Sequence, residues 1–570
     1  MPSARNDLTL FQMMVGGSDV TPDTYADIIS IRVESRLDMA AQAIVELVDH
    51  RLAHLSGTMF DIGKALKVRM TGVGSQSLAD LFDGEITALE PCLDAQGSAS
   101  LRIEATTRVH RLYSGAKSRT WSNSKDSDVF RTIAGEHGLS SDIESTPETF
   151  DHISQAGQTD WEFISERARR IGYLAFVSAN KLYVKKPDYS AGASVELKWG
   201  ENLREFRPRA TAAIQPSSVE VSYWDMNGKR AQTGTNEATN AIPSVGLNGS
   251  TLANSYSREA TRLVRWPAVS QTDANAVAAG ARAALWSGLI QAEGVCEGTP
   301  ALVAGGKVSV SNIGSKFGGD YILSQVRHVR DVDGYRTEFE VRGLRSESFS
   351  DLVAGGVAED GFGSSRRWPG VVPGVVSDSN DPEGLGRVKV AFAWLANDYV
   401  SNWARIAVPM AGNERGVWFA PEVNDEVLVA FEHGDIGSPY VVGFLYNGQD
   451  KPPQNAVVGG TVNERVIVTT SGHQIILRDQ SGNEAIEIID KTGSNKVTID
   501  SSSGLITVEG TDIEVKASNN IKLEGTNVEI KANANFKVEA SANIDLKANA
   551  QLNAQASGPV AVKGAVINLN

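Results

Sequence analysis

Several clusters in this 570-residue chain carry side chains able to do chemistry. His50 and His54 are four apart, the spacing that puts two metal-ligating imidazoles on one helical face. Arg51, however, stands where the zinc-protease motif needs its glutamate. Ile44, Val45, Leu47 and Val48 read as a strand running into a loop, so no metal site is expected there. Asp378 to Glu383 is acidic and turn-like, but Pro382 sits where a calcium loop needs a ligand, and a solvated loop is expected. Glu432-His433-Gly434-Asp435 sets an imidazole beside carboxylates, an acid–base combination that equally suits a strand end and turn. Cys92 and Cys296 lie far apart with no CxxC, which predicts neither a disulfide framework nor a structural zinc, and folding in a reduced cytoplasm. There is no GxSxG elbow, no P-loop and no GxGxxG before a helix. Carboxylate pairs for glycoside hydrolysis are not readable from sequence, because any two can meet in space. The expectation is a protein that is not an enzyme, with no catalytic residue, no cofactor and no metal.

Charge and hydropathy narrow the partners. Lys+Arg number 54 against 69 Asp+Glu, a net charge of −15, which argues against a general nucleic-acid binder. At 41% hydrophobic residues the chain can bury several cores. No apolar run is long enough to span a membrane. Met1 to Phe11 lacks a basic stretch followed by an apolar one, so no signal peptide and synthesis in the cytoplasm are expected.

The elements that must position these residues change character along the chain. Residues 1–355 alternate strand-like runs, such as Ile28 to Val33 and Ala43 to Val48, with helices expected near 127–137, 159–171 and 273–290. Ser127 reads as a polar cap, and Thr159 with Glu162 as a capping box. Strands return at Leu182 to Val184, Lys307 to Val310 and Tyr321 to Val326. Strand clusters split by helices suggest α+β, with two small barrels or sheets. Residues 356–369 are a glycine-rich linker. Residues 370–450 read as five or six strands closing a small barrel.

The last segment, 455–570, carries a repeat. Apolar pairs stand at Ile513/Val515, Ile521/Leu523, Val528/Ile530, Phe536/Val538, Ile544/Leu546, Leu552/Ala554, Val560/Val562 and Ile567/Leu569. Successive pairs step by eight residues, twice shortened to seven, and the spacing within a pair is the strand period. One repeat offers two inward side chains and cannot bury enough surface alone, so stacking is obligatory. Such sparse apolar positions predict an intertwined prism of three chains, with the first five pairs, Ile513 to Leu546, as its core. Flanking charges alternate, from Glu514 and Lys516 to Lys522 and Glu524, then Glu529 and Lys531. Vertical neighbours would then be opposite charges, which resists slippage. Counting repeats from about 465 gives a shaft about 60 Å long at ~4.8 Å per strand.

The stretch Asp381-Pro382-Glu383-Gly384-Leu385-Gly386-Arg387-Val388-Lys389-Val390, with Trp403-Ala404-Arg405, Trp418-Phe419 and Asp425 to Asp435, closely resembles the OB-fold base of contractile-injection spikes. These are the VgrG proteins of type VI secretion, the spikes of contractile phage tails and their extracellular injection-particle relatives. Thr159-Asp160-Trp161-Glu162-Phe163-Ile164 with Arg170-Ile171-Gly172-Tyr173 is similar to a helix of phage hub proteins. Gly319-Asp320-Tyr321, His328 and Tyr335 to Phe339 resemble the closing strands of the second hub barrel. The resemblance implies a mainly β fold. An α+β hub of two barrels with inserted helices is followed by an OB-fold barrel and a C-terminal triple-stranded intertwined β-helix.

It further implies a homotrimeric baseplate hub and membrane-puncturing spike. Its partners would be the tail tube protein, baseplate proteins and a PAAR-repeat tip protein, with the target membrane met only on firing. His473 is the last histidine and no cysteine follows, so the tip carries no ligands of the kind that hold a spike's iron. A blunt platform of Val560, Val562, Ile567 and Leu569 is expected instead. Only some 20 residues separate barrel from repeat, so no lysozyme insertion is expected, and Asn568-Leu569-Asn570 still lie in the repeat, so no toxic extension is expected. The N-terminal stretch favours a phage-tail-like or extracellular particle over type VI. Two rival readings share trimeric solenoids: a spike-borne cell-wall hydrolase and a trimeric receptor-binding tail fibre.

Overall fold

The computed structural model describes residues 10–37, 39–178, 180–186, 194–212, 215–236, 244–247, 251–252, 255–256, 261–263, 268–343, 367–453 and 457–568. Two compact units emerge, Met1–Asp450 and Lys451–Asn570. Most of the expected linker, 356–366, and the tip residue Leu569 lie outside the described residues.

The first unit is built on an eleven-stranded antiparallel sheet. Ile28–Arg36 is its joint, pairing with Gln42–Val48 on one side and with Gln325–Asp331 on the other. Arg327 Nε and Gln325 Nε2 donate to Glu34 at 3.0 and 2.8 Å across that joint. The expected pair of hub barrels therefore does not stand as two separate sheets. Two cores pack on the eleven-stranded sheet: Ile31, Val45, Leu66 and Leu101 fill the first, and in the second Ile290 and Phe339 meet Val308 and Tyr321 of a separate four-stranded sheet. Where only one face of a strand is buried, burial alternates along it. Ala99–Thr106 shows the strict alternation of buried and half-buried residues.

Helices lie beside this sheet. Of the three expected helices, the first spans Asp126–Glu136, with Lys125 and not Ser127 at its N-cap position and no side-chain cap. The Ser127 N–H is taken by the Thr146 hydroxyl at 3.2 Å, a partner 19 positions away that no local pattern reveals. The second spans Asp160–Arg170, and the capping box of Thr159 and Glu162 is formed. The third, Gln271–Ser287, ends three residues before the expected Ile290. Ile290 instead opens the strand Ile290–Glu297, held by Leu203–Ala210 and Gly334–Val341. The apolar run Tyr321 to Val326 is likewise split, into Gly319–Ile322 and Gln325–Asp331.

A five-stranded sheet over 371–444 closes on itself, because Val388 and Ala404 exchange backbone hydrogen bonds of 3.0 and 2.7 Å. Val376, Val390, Phe392, Val427 and Val429 fill this barrel. Arg387 donates twice to Asp381, whose carboxylate also accepts three backbone N–H groups. That carboxylate is held far below its usual range, first by Arg387, and has no free lone pairs for calcium.

Candidate functional site: the carboxy-terminal assembly surface

The second unit is not one uniform repeat. Five strands, Glu464–Val468, Gln474–Arg478, Ala485–Ile489, Lys496–Asp500 and Leu505–Glu509, form an antiparallel meander within the single chain. This corrects the expectation of a β-helix running from 455. The connections here are short hairpins, with glycines at positive φ such as Gly493 and Gly504, and hairpins bring consecutive strands side by side.

Register decides what the meander shows to solvent. Directly opposed residues point to the same side. Ile467 faces Ile475, which faces Ile488, then Val497 and Val508. Arg465 faces Leu477, then Ile486, Ile499 and Ile506. One face is thus apolar at every position but Arg465. Eight of its nine apolar side chains are exposed, from 39% at Ile499 to 66% at Ile506, and Val497 is half-buried. The opposite face buries Ile476 and carries ion pairs, Arg478 with Glu464 and, at 3.0 Å, with Glu487. An exposed apolar sheet face of this extent is the mark of an interaction surface.

Beyond Glu509 the described chain has no strand. It runs extended between bends at Thr511-Asp512, Ser518-Asn519 and onward at the repeat interval. Ile513, Val515, Ile521, Leu523, Val528, Ile530, Phe536, Val538, Ile544 and Leu546 are all exposed, and so are Val560, Val562 and Ile567. Extended backbone with no ladder leaves its N–H and C=O groups unpaired within the chain. The alternating charges pair within their own repeats, Lys516 with Glu514 at 2.5 Å, and Lys522 with Glu524. Such exposed pairs contribute little.

The chemical candidates resolve into structural roles. His54 pairs with Asp27 at 2.8 Å while His50 is exposed, and no group of three metal-ligating side chains occurs among the described residues. His433 sits in a tight turn at φ 50°, and Asp435 accepts the Gly437 N–H. Cys92 and Cys296 are both free, and burial pushes the Cys296 thiol up to about 12. His328 is buried: its Nε2–H donates to the Leu302 carbonyl at 3.0 Å, so Nδ1 accepts from Tyr335 Oη at 2.9 Å. Burial holds this imidazole at about 4, neutral at physiological pH.

One contact has no signal in the sequence. The strand Phe150–Gln158 meets the barrel through His152 and Ser154, whose partners Val400 and Tyr399 are 248 and 245 positions away.

The family described as the Alg8 N-terminal domain matches residues 5–331, more than half of the chain. The type VI secretion system/phage-baseplate injector OB domain matches residues 372–446. The type VI secretion system spike protein VgrG3 of Vibrio cholerae is 32% identical over 114 residues, 18% of this chain and 11% of the relative. The spike protein VgrG5 of Pseudomonas aeruginosa is 38% identical over 87 residues, 15% of this chain and 11% of the relative. The chain thus spans about a tenth of the length of these curated relatives. Among solved structures, a chain of the lidded Francisella PdpA–VgrG complex superposes with a TM-score of 0.53 at 8% identity, over 88% of this chain and 80% of that chain. At such identity the likeness concerns the fold alone. No helix among the described residues is long and apolar enough to cross a membrane.

Proposed function

This chain belongs to the Alg8 N-terminal domain family and to the VgrG and phage hub-and-spike proteins of contractile injection systems, and on that premise we propose that three copies assemble into a membrane-puncturing spike. The observation that carries this reading is the uncovered apolar surface of the second unit. Eight exposed apolar side chains on one meander face, and then the strandless repeats from 511 to 568, are left uncovered among the described residues. Three meander faces turned inward make a dry three-sided core. Three interleaved copies of 511–570 supply the strand neighbours that each copy lacks. Because the meander takes up 464–509, only eight pairs remain for the interleaved shaft, which shortens it to about 40 Å at ~4.8 Å per strand.

In this reading residues 1–355 are the hub, seated on the tail tube and baseplate, and 370–450 are the OB-fold barrel. Ile513 to Leu546 form the trimer core, and Val560, Val562, Ile567 and Leu569 are the platform for a PAAR-repeat tip protein. The function is mechanical. Contraction of the sheath advances the tube, and a narrow shaft stiffened by cross-strand pairing delivers the force to the target envelope. No turnover is involved, and the particle is phage-tail-like or extracellular.

Light scattering tests the reading. The full chain is expected as a trimer, and the double substitution Ile530→Asp with Val538→Asp is expected to abolish it, since six carboxylates cannot share a dry core. Trimers that survive with undiminished thermal resistance, or a one-copy particle from the unaltered chain, refute it.

A further inference from the structure

The barrel carries two apolar surfaces that the described residues leave uncovered. One is an arm. Ala411 pairs with Gly416 and Gly412 with Arg415, and the Val417 N–H donates to the Met410 carbonyl at 3.0 Å, which makes a short hairpin. Every residue of 410–420 is exposed. Met410, Val417, Trp418 and Phe419 are the large apolar ones, from 40% exposed at Val417 to 56% at Trp418. Trp418 lies over Gly386, where an added Cβ would come within 2.5 Å of the ring, yet more than half of its surface meets solvent. A two-stranded hairpin with nothing to pack on is marginal in water.

The other surface is the outside of the barrel sheet. Val371–Asp378 pairs with Glu426–Phe431, which pairs in turn with Pro439–Phe444. The inward side of these strands holds Val376, Val427 and Val429 in the core. The outward side carries Val371, Val375, Val442 and Phe444, from 42% exposed at Val375 to 53% at Val371. Trp394, 45% exposed, extends this face, its Nε1–H donating to the Pro373 carbonyl at 2.9 Å. Strands apolar on both sides belong to sheets covered on both sides.

We propose that each face is covered by the arm of the next copy of this chain: residues 410–420 of one barrel lie on the outer face of its neighbour's barrel, and three such contacts close a ring. Arm and face sit on the same barrel, so one chain supplies both halves of the contact. The halves are different surfaces, so the contact is heterologous, and a heterologous contact that closes makes a ring. Trp418 supplies the aromatic anchor that dominates contacts of this kind. The last barrel strand ends at Phe444 and the meander begins at Glu464. Copies joined at the meander therefore hold their barrels at an effective concentration on the order of millimolar, where a patch too small to join free chains is occupied. The ring presupposes the three-copy assembly and adds to it a contact outside meander and shaft.

Cross-linking of the full chain tests the ring. Val417→Cys on the arm and Val442→Cys on the face are placed in separate chains. Each also carries Cys92→Ser, because Cys92 is exposed while Cys296 is buried. The two variants are co-expressed, their assembled mass is read by sedimentation velocity, and they are treated with a short bismaleimide. Covalent pairs of twice the chain mass are expected from the mixture, and none from either variant expressed alone. Trimers that yield no covalent pair overturn the ring and leave the spike reading standing, the face then being covered by another protein or another segment of the chain. Covalent pairs from one variant alone mean that like surfaces meet, which also overturns it. A one-copy particle overturns the ring and the spike reading together.

Discussion

Asp160 joins four pieces of the hub. Its Oδ2 accepts from Lys117 Nζ at 2.6 Å and from His137 Nε2 at 2.8 Å. Its Oδ1 accepts from Arg119 at 2.7 Å and Gln155 at 3.0 Å. One carboxylate thus ties the start of the second helix to the end of the first and to both strands of the Lys117–Ser124 and Phe150–Gln158 ladder. Burial by itself would raise this group, but Lys117, His137, Gln155 and Arg119 outweigh it and hold the carboxyl at about 2. A depressed value means stability that is present above 3.8 and lost as pH falls toward 2, about 2 kcal/mol in all. Asp160→Asn is expected to lower hub stability by about that amount at pH 7 and to flatten its loss between pH 4 and 2. Urea unfolding at stepped pH, followed by hub tryptophan fluorescence, measures both. Asp160 is also the aspartate of the helix motif that resembles phage hub proteins, and its geometry gives that motif a packing role.

At the scale of elements, the second and third helices meet at a point with no room for a side chain. A Cβ on Gly280 would lie 2.5 Å from the Arg170 carbonyl and from the Gly172 nitrogen, and Gly172 itself turns the chain at φ +74°. Backbone cannot yield as a side chain can. Arg170 and Asp273 clamp the same crossing, with Nη2 to Oδ2 at 2.6 Å. Gly280→Ala is expected to destabilise the hub by about 2 kcal/mol through overpacking. Gly135→Ala, in the last turn of the helix Asp126–Glu136 with open space around the added Cβ, is expected to stabilise it by about 0.5 kcal/mol. Paired denaturation midpoints of the two variants check the sign.

At the scale of the whole molecule, the two units differ in where their apolar surface goes. The first buries several cores within one chain. The second leaves Ile475, Leu477, Ile486 and Ile488 exposed on a single face. Leu477→Asp with Ile486→Asp, on opposed positions of that face, is expected to dissociate the copies while leaving hub and barrel folded. Sedimentation velocity would show the drop in mass, and an unchanged near-ultraviolet dichroism would show the first unit intact, because it holds every aromatic residue but Phe536. Retained mass would place the meander outside the interface.

Local chemistry was legible wherever cause and effect are neighbours in the chain. Thr159 and Glu162 form their capping box because both partners lie within one turn. Asp381 and Arg387, six apart, close their own loop. Contacts across long sequence separations were not legible. The alternating apolar residues of 464–509 and of 511–570 are alike in composition, yet one stretch folds on itself and the other does not. What separates them is hairpin geometry: glycine at positive φ lets 464–509 reverse direction, while the later bends carry the chain onward. Likewise Ile28–Arg36 joining two cores, Thr146 capping Ser127 and His152 reaching Val400 depend on which distant segments the folded chain brings together, and no local pattern encodes that.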